Sequence, residues 1–187
     1  MISGKTWSTA VGGVLMSVMF SAVSVHAQDR IGVYRWWQPN DKDWITLAEG
    51  EIPDAQLKQW GYQKKTFQFF ASSTPIPDGI AVYRWWQPND KDWISEVENE
   101  NFDAQLIKWG YKKEEKVQFY ASKYRIPDGL AVYRWWQPTD KDWVSLTENE
   151  FSDAQLKQGK YEDQKLQFYG WKKKQDSSVG IPATNSK

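Results

Sequence analysis

Hydrophobic and polar positions recur along this chain in blocks of about fifty residues. Each block opens on a β-branched and aromatic run, Val33 to Gln38, which suits a pleated strand. Pro39-Asn40-Asp41-Lys42 follows with turn-forming residues. Asp43 to Leu47 then alternates polar and apolar, as a return strand does. Pro53 to Trp60 suits one or two helical turns, with Asp54 near the start, where an acid is favoured, and Gly61 at the end. Tyr62, a polar turn at Lys64-Lys65, and Thr66 to Ala71 predict a closing hairpin. Strand alternation puts Phe67 and Phe69 on one face of it. Each block is thus expected to hold about four short strands and one short helical insert.

The block occurs three times. The stretch from Val33 to Trp44 returns unchanged at Val82 to Trp93, and again at Val132 to Trp143 with Thr139 replacing an Asn. Asp54, Asp103 and Asp153 each open an Asp-Ala-Gln-Leu segment, and Phe69, Phe119 and Phe168 mark the last strand. Ile-Pro-Asp-Gly at Ile76 and Ile126 joins one copy to the next. The repeats run about 31–79, 80–129 and 130–171 in a single domain over 28–171, and 172–187 reads as a polar tail. No single copy can bury its own aromatic face, so the three must share a core. The expected fold is all-β with short helical inserts, a β-trefoil-like pseudo-threefold barrel. A three-bladed propeller-like or solenoid arrangement is the alternative.

Composition narrows the chemistry. Met1 to Ala27 reads as a secretory signal peptide, with Lys5, an apolar stretch broken by glycines and serines, and a Val25-His26-Ala27 cleavage site. Cleavage makes the chain an exported protein, periplasmic or extracellular, with no membrane span left. It also removes His26, the single histidine of a chain that has no cysteine. The remainder has no disulfide, no thiolate nucleophile, no His-based triad and no imidazole or thiolate zinc site. Lys and Arg equal Asp and Glu in number, 24 each, and are interspersed, so no basic face for nucleic acid is expected. Of the 13 tryptophans only Trp7 lies in the leader, so the core should be aromatic.

The opening Tyr34-Arg35-Trp36-Trp37-Gln38-Pro39, repeated from Tyr83 and Tyr133, is followed by Asp43-Trp44-Ile45-Thr46, by Trp60-Gly61-Tyr62 and by a Phe-aromatic strand. This order resembles an aromatic-rich tandem repeat of unknown function found in exported bacterial proteins, often beside peptidase or cell-wall modules. The resemblance covers most of the chain after the leader. It implies a non-catalytic role in binding surfaces or glycans. The Gln-x-Trp triplet of ricin-type trefoil lectins does not occur.

Neighbours on a strand face opposite sides, so one tryptophan of each pair should enter the core. Arginine is costly to bury without a partner. Tyr34 and Trp36 are therefore expected inward, leaving Trp37, Trp86 and Trp136 as platforms beside Arg35, Arg84 and Arg134. An exposed indole stacks on a sugar ring while Arg and Asp bond its hydroxyls. The competing reading makes both tryptophans packing residues, with Arg stacked over Trp. Asp43, Asp92 and Asp142 close the Asp-Lys-Asp triplets, and Asp43 is placed to pair with Arg35 across the hairpin. No glycine and too few oxygens follow for a calcium loop, so neither metal nor cofactor is expected. Glu49, Glu51, Glu98, Glu100, Glu148 and Glu150 are the candidates for hydrolytic carboxylate pairs. Triplication favours multivalent binding over three identical active sites. The reading is a monomeric, non-catalytic binder of a glycan or cell-surface polymer. The alternatives are a protein-interaction or inhibitor module using exposed tryptophan anchors, and a carboxylate-dependent glycosidase. In the third copy Gly159-Lys160 stand where Trp60-Gly61 and Trp109-Gly110 do, and Trp171 is the residue placed to fill the gap.

Overall fold

The computed structural model describes residues 30–173. The expected leader and most of the tail lie outside them. Three units follow one another with the same element order. The first has β1 (Arg30–Gln38), β2 (Asp43–Ala48), α1 (Asp54–Gln59) and β3 (Gln63–Ser72). The second has β4 (Gly79–Gln87), β5 (Asp92–Val97), α2 (Glu100–Lys108) and β6 (Lys112–Ser122). The third has β7 (Gly129–Gln137), β8 (Asp142–Thr147), α3 (Asp153–Gln158) and β9 (Glu162–Trp171). Among the described residues no helix is long and apolar enough to cross a membrane.

In each unit the opening strand is central, with the return strand on one side and the closing strand on the other, all antiparallel. Three strands form where four were expected, because Gln63 to Ser72 runs unbroken through the predicted Lys64-Lys65 turn. The result is mostly β and open: the strands form a sheet not closed into a barrel. The units touch through single bridges that run cyclically, Ser72 to Tyr120, Ser122 to Tyr169 and Trp171 to Phe70.

The closing strand holds a register shift. Val33 faces Phe69 but Tyr34 faces Phe67, so Gln68 is the extra residue of a bulge. The bulge reverses the side-chain alternation. Phe69 is sealed in the interior while Phe67 is 41% exposed. The expectation that they share a face fails for this reason.

The interior forms where the units meet. Phe69, Phe119 and Phe168 pack edge to face, with ring centroids 5.4 to 5.8 Å apart. Val33, Val82 and Val132 surround them with Ala71 and Ala121. Gly170 takes the place of those alanines in the third unit. A Cβ there would lie 2.5 Å from the Phe69 ring, so only glycine fits beneath it. A second layer lies under each helix. Trp36, Ile45 and Leu47 pack with Leu57 and Tyr62 in the first unit, and Trp85 and Ile94 with Leu106 and Tyr111 in the second. Gly61 and Gly110 end their helices at positive φ and turn Tyr62 and Tyr111 back under them. In the third unit the packing is looser: α3 buries no residue, and Trp135 is half-buried where Trp36 and Trp85 are sealed. Trp171 does not fill the gap at Gly159. It lies at the far end of β9, opposite Gly129 and against the Arg30 guanidinium at 4.7 Å.

Truncating one ring of the central trio opens a cavity that its two neighbours cannot close. Phe119→Ala is expected to lower stability by ~3–5 kcal/mol, read from urea unfolding.

Candidate functional site

The repeated Trp-Trp-Gln-Pro stretch has three distinct jobs. The glutamine organises the turn. Gln38 Nε2 donates to Asp41 Oδ2 at 3.1 Å and to the Trp60 carbonyl at 3.2 Å, while its Oε1 accepts from Asn40 N at 2.7 Å. Gln87 and Gln137 repeat the contact, to the carbonyls of Trp109 and Gly159. The turn thereby ties the hairpin tip to the end of the helix. The first tryptophan packs under the helix. The second, half-buried, packs across the hairpin on the tryptophan that follows the turn: Trp37 on Trp44, Trp86 on Trp93, Trp136 on Trp143, at 4.5 to 4.8 Å.

The arginines are buried, contrary to expectation. Arg35, Arg84 and Arg134 are 3%, 8% and 5% exposed. Each forms an ion pair with an acid of a neighbouring unit, Arg35 with Glu150 at 2.6 Å, Arg84 with Glu51 at 3.1 Å and Arg134 with Glu96 at 2.7 Å, and Arg84 also donates to Glu114 of its own unit at 2.7 Å. Each also stacks over Trp44, Trp93 or Trp143 at 4.3 to 4.7 Å. Partner charges and aromatic faces together make burial tolerable. The structural Arg-over-Trp reading thus holds, with the tryptophan across the hairpin as the partner. The arginines do not join the tryptophans in an open site.

Nor does Asp43 pair with Arg35. Its Oδ2 accepts from the Tyr62 phenol at 2.7 Å, and Asp92 accepts from Tyr111 in the same way. Asp43, Asp92 and Asp142 are all buried and converge, one carboxylate oxygen of each lying within 4.8 Å of the others. Burial pushes Asp43 up to about 7 and Asp92 up to about 6, and it raises Asp142 well above the usual range with help from the neighbouring Asp92 and Asp43 charges. Burial likewise pushes Glu96 up to about 7, even beside Arg134.

An aromatic cleft of about 460 Å³ opens between the second and third units. Trp109, Tyr111, Trp136 and Trp143 line it, with Gln87, Asp90, Lys141 and Asp163 as its polar groups. Trp109 and Trp143 are near parallel, 6.5 Å apart at 23°. Trp109 is 46% exposed and is delivered by the end of α2. Elsewhere the hairpin tips are linked across units, Lys42 to Asp140 at 3.0 Å and Lys91 to Asp41 at 3.7 Å. Lys141 and Asp90, the corresponding pair, instead both border the cleft. Of the predicted residues only Trp136 reaches this space; Trp37 and Trp86 belong to the equivalent stacks in the other units. Sequence reasoning missed Trp109, Trp143 and Tyr111. The Trp-Gly pair ending the second helix was the available signal, together with its loss at Gly159.

A mostly-β, antiparallel, repeated scaffold with an aromatic cleft between units defines the class. A family model described as a domain of unknown function (DUF5648) matches residues 32–171, and the chain belongs to that family. That agrees with the resemblance to an aromatic-rich family without assigned activity. No curated protein and no solved structure matches the chain.

Carboxyls whose pKa rises on folding bind more protons folded than unfolded between the ordinary value and the raised one. Their contribution is full at low pH and is lost as pH rises through about 6 to 7. In chelator-treated buffer the urea midpoint should therefore be higher near about pH 5 than near about pH 8, and Asp142→Asn should shrink the difference.

Proposed function

We propose that this chain is an exported, non-catalytic binding protein whose cleft takes a carbohydrate or a related cell-surface polymer. The observation that carries the reading is the wall of Trp109, Trp136 and Trp143 bordered by Gln87, Asp90, Lys141 and Asp163. Indole faces cover the apolar face of a pyranose, and a few amide and charged groups at the edge suit its hydroxyls. Export rests on the leader in the sequence. The trefoil-like form of the reading rests on the cyclic bridges and the central phenylalanine trio.

The sites are not equivalent in this reading. The third unit offers Gly159 where the others offer Trp60 and Trp109, and beside Trp60 the Lys91–Asp41 pair bridges the hairpin tips, so the cleft behind Trp109 is the principal one. A hydrolytic role is disfavoured by the candidate glutamates themselves. Glu51 and Glu150 are occupied by Arg84 and Arg35. Glu148 lies near Arg125, and Glu98 near Lys113.

The test is a panel of polysaccharides and oligosaccharides, followed by calorimetry on any that bind. Trp109→Ala leaves the core intact, because the ring is 46% exposed. It should weaken binding by roughly tenfold or more, about 1.4 kcal/mol, while Tyr124→Ala, an exposed aromatic outside the cleft, should not. Absence of binding across the panel, with a protein partner recovered whose binding needs Trp109, would turn the reading to a protein-interaction module.

A further inference from the structure

We infer that Asp43, Asp92 and Asp142 form a binding site for one hard divalent cation of calcium's size, where the three units meet. The residues come from equivalent positions, each opening the return strand of its unit. One carboxylate oxygen of each lies within 4.8 Å of the other two. No loop of the chain supplies this arrangement alone; tertiary convergence does.

Clustering of acids is not the only observation. All three side chains are more than nine-tenths buried, at 4%, 4% and 5% exposure. In all three, Oδ1 is buried and meets no hydrogen-bond donor. Three solvent-excluded carboxylate oxygens lacking donors are strongly unfavourable unless a cation or a shared proton answers them, and above the raised pKa values only a cation can. The nearby arginines are committed to Glu150, Glu51 and Glu96. The hairpin-tip Lys42 and Lys91 are exposed and paired with Asp140 and Asp41. The other oxygens are already positioned, since the phenols of Tyr62 and Tyr111 hold Oδ2 of Asp43 and Asp92. Ligand carboxylates in metal sites are typically oriented by such outer donors.

The donor set selects the ion. Oxygen-only, all-carboxylate ligation suits a hard cation and not a thiophilic one. Three oxygens spaced evenly around one ion lie about 4.0–4.5 Å apart for calcium and about 3.5–3.6 Å apart for magnesium, from their metal–oxygen distances. Both spacings fall within the 4.8 Å bound, and calcium is favoured because it tolerates irregular oxygen shells, whereas magnesium demands near-octahedral geometry and gives up its water reluctantly in a buried site. Trp44, Trp93 and Trp143 directly follow the three aspartates, so an emissive ion at the site has indole donors beside it.

The experiment uses terbium, a luminescent hard cation, on the purified chain after chelation. Tryptophan excitation should give saturable terbium emission at about one ion per chain, displaced by calcium more effectively than by magnesium. Calcium at about a hundredfold excess over its Kd should raise Tm by roughly 5–10 °C. The triple variant D43N/D92N/D142N removes the mutual repulsion, so it should fold, checked by circular dichroism, and should give neither effect. If it does not fold, Asp92→Asn alone should weaken terbium binding tenfold or more. Absence of saturable emission together with a calcium-independent Tm overturns the site. Emission unchanged in the variants places the ion elsewhere and overturns it equally.

Discussion

Repetition forces like side chains to meet. When three copies of one segment close around a common line, whatever residue points there from one copy points there from all three. For phenylalanine this is favourable: Phe69, Phe119 and Phe168 can each present an edge to a neighbour's face, the geometry their quadrupoles prefer. For aspartate it is not, since Asp43, Asp92 and Asp142 meet as like charges out of water. The structure therefore has one meeting point that drives association of the units and one that opposes it unless a proton or a cation is supplied.

Between these lie the arginines. Arg35 and Arg134 would be a liability in isolated units, because each bonds an acid that only the neighbouring unit provides, whereas Arg84 also holds Glu114 of its own unit. Buried ion pairs contribute modestly to stability, but breaking one leaves an uncompensated charge. They consequently favour correct docking of the units over any alternative that leaves them unmatched. The Trp44, Trp93 and Trp143 rings under them serve the same end, and they explain why three arginine-bearing strands with so many indoles can face an interior.

The cleft arises from departures from the repeat rather than from the repeat. Lys42 and Lys91 reach acids of adjacent hairpins, whereas Lys141 and Asp90 stand around an opening that Trp109 overhangs. Trp136 was legible as a candidate because strand alternation singles out the second tryptophan of each pair. Trp109 and Trp143 were not, because nothing in local periodicity says that the end of one unit's helix approaches the next unit's hairpin. The burial of Arg35 was misjudged for a related reason: its partner, Glu150, is 115 positions away.

The sequence by itself determined the recurrence of one element order, the strand-turn-strand opening, the helical insert closed by Gly61 or Gly110, and an interior built from aromatic rings. These follow from local spacing and from residue types whose conformational preferences act within a few positions. Tertiary structure decided which face of each strand is covered, because a bulge at Gln68 moves Phe67 and Phe69 to opposite sides. It also decided that three aspartates, each closing a separate turn in the sequence, stand together. Their neighbours are set by the docking of distant copies, and no periodicity along one chain carries that distance.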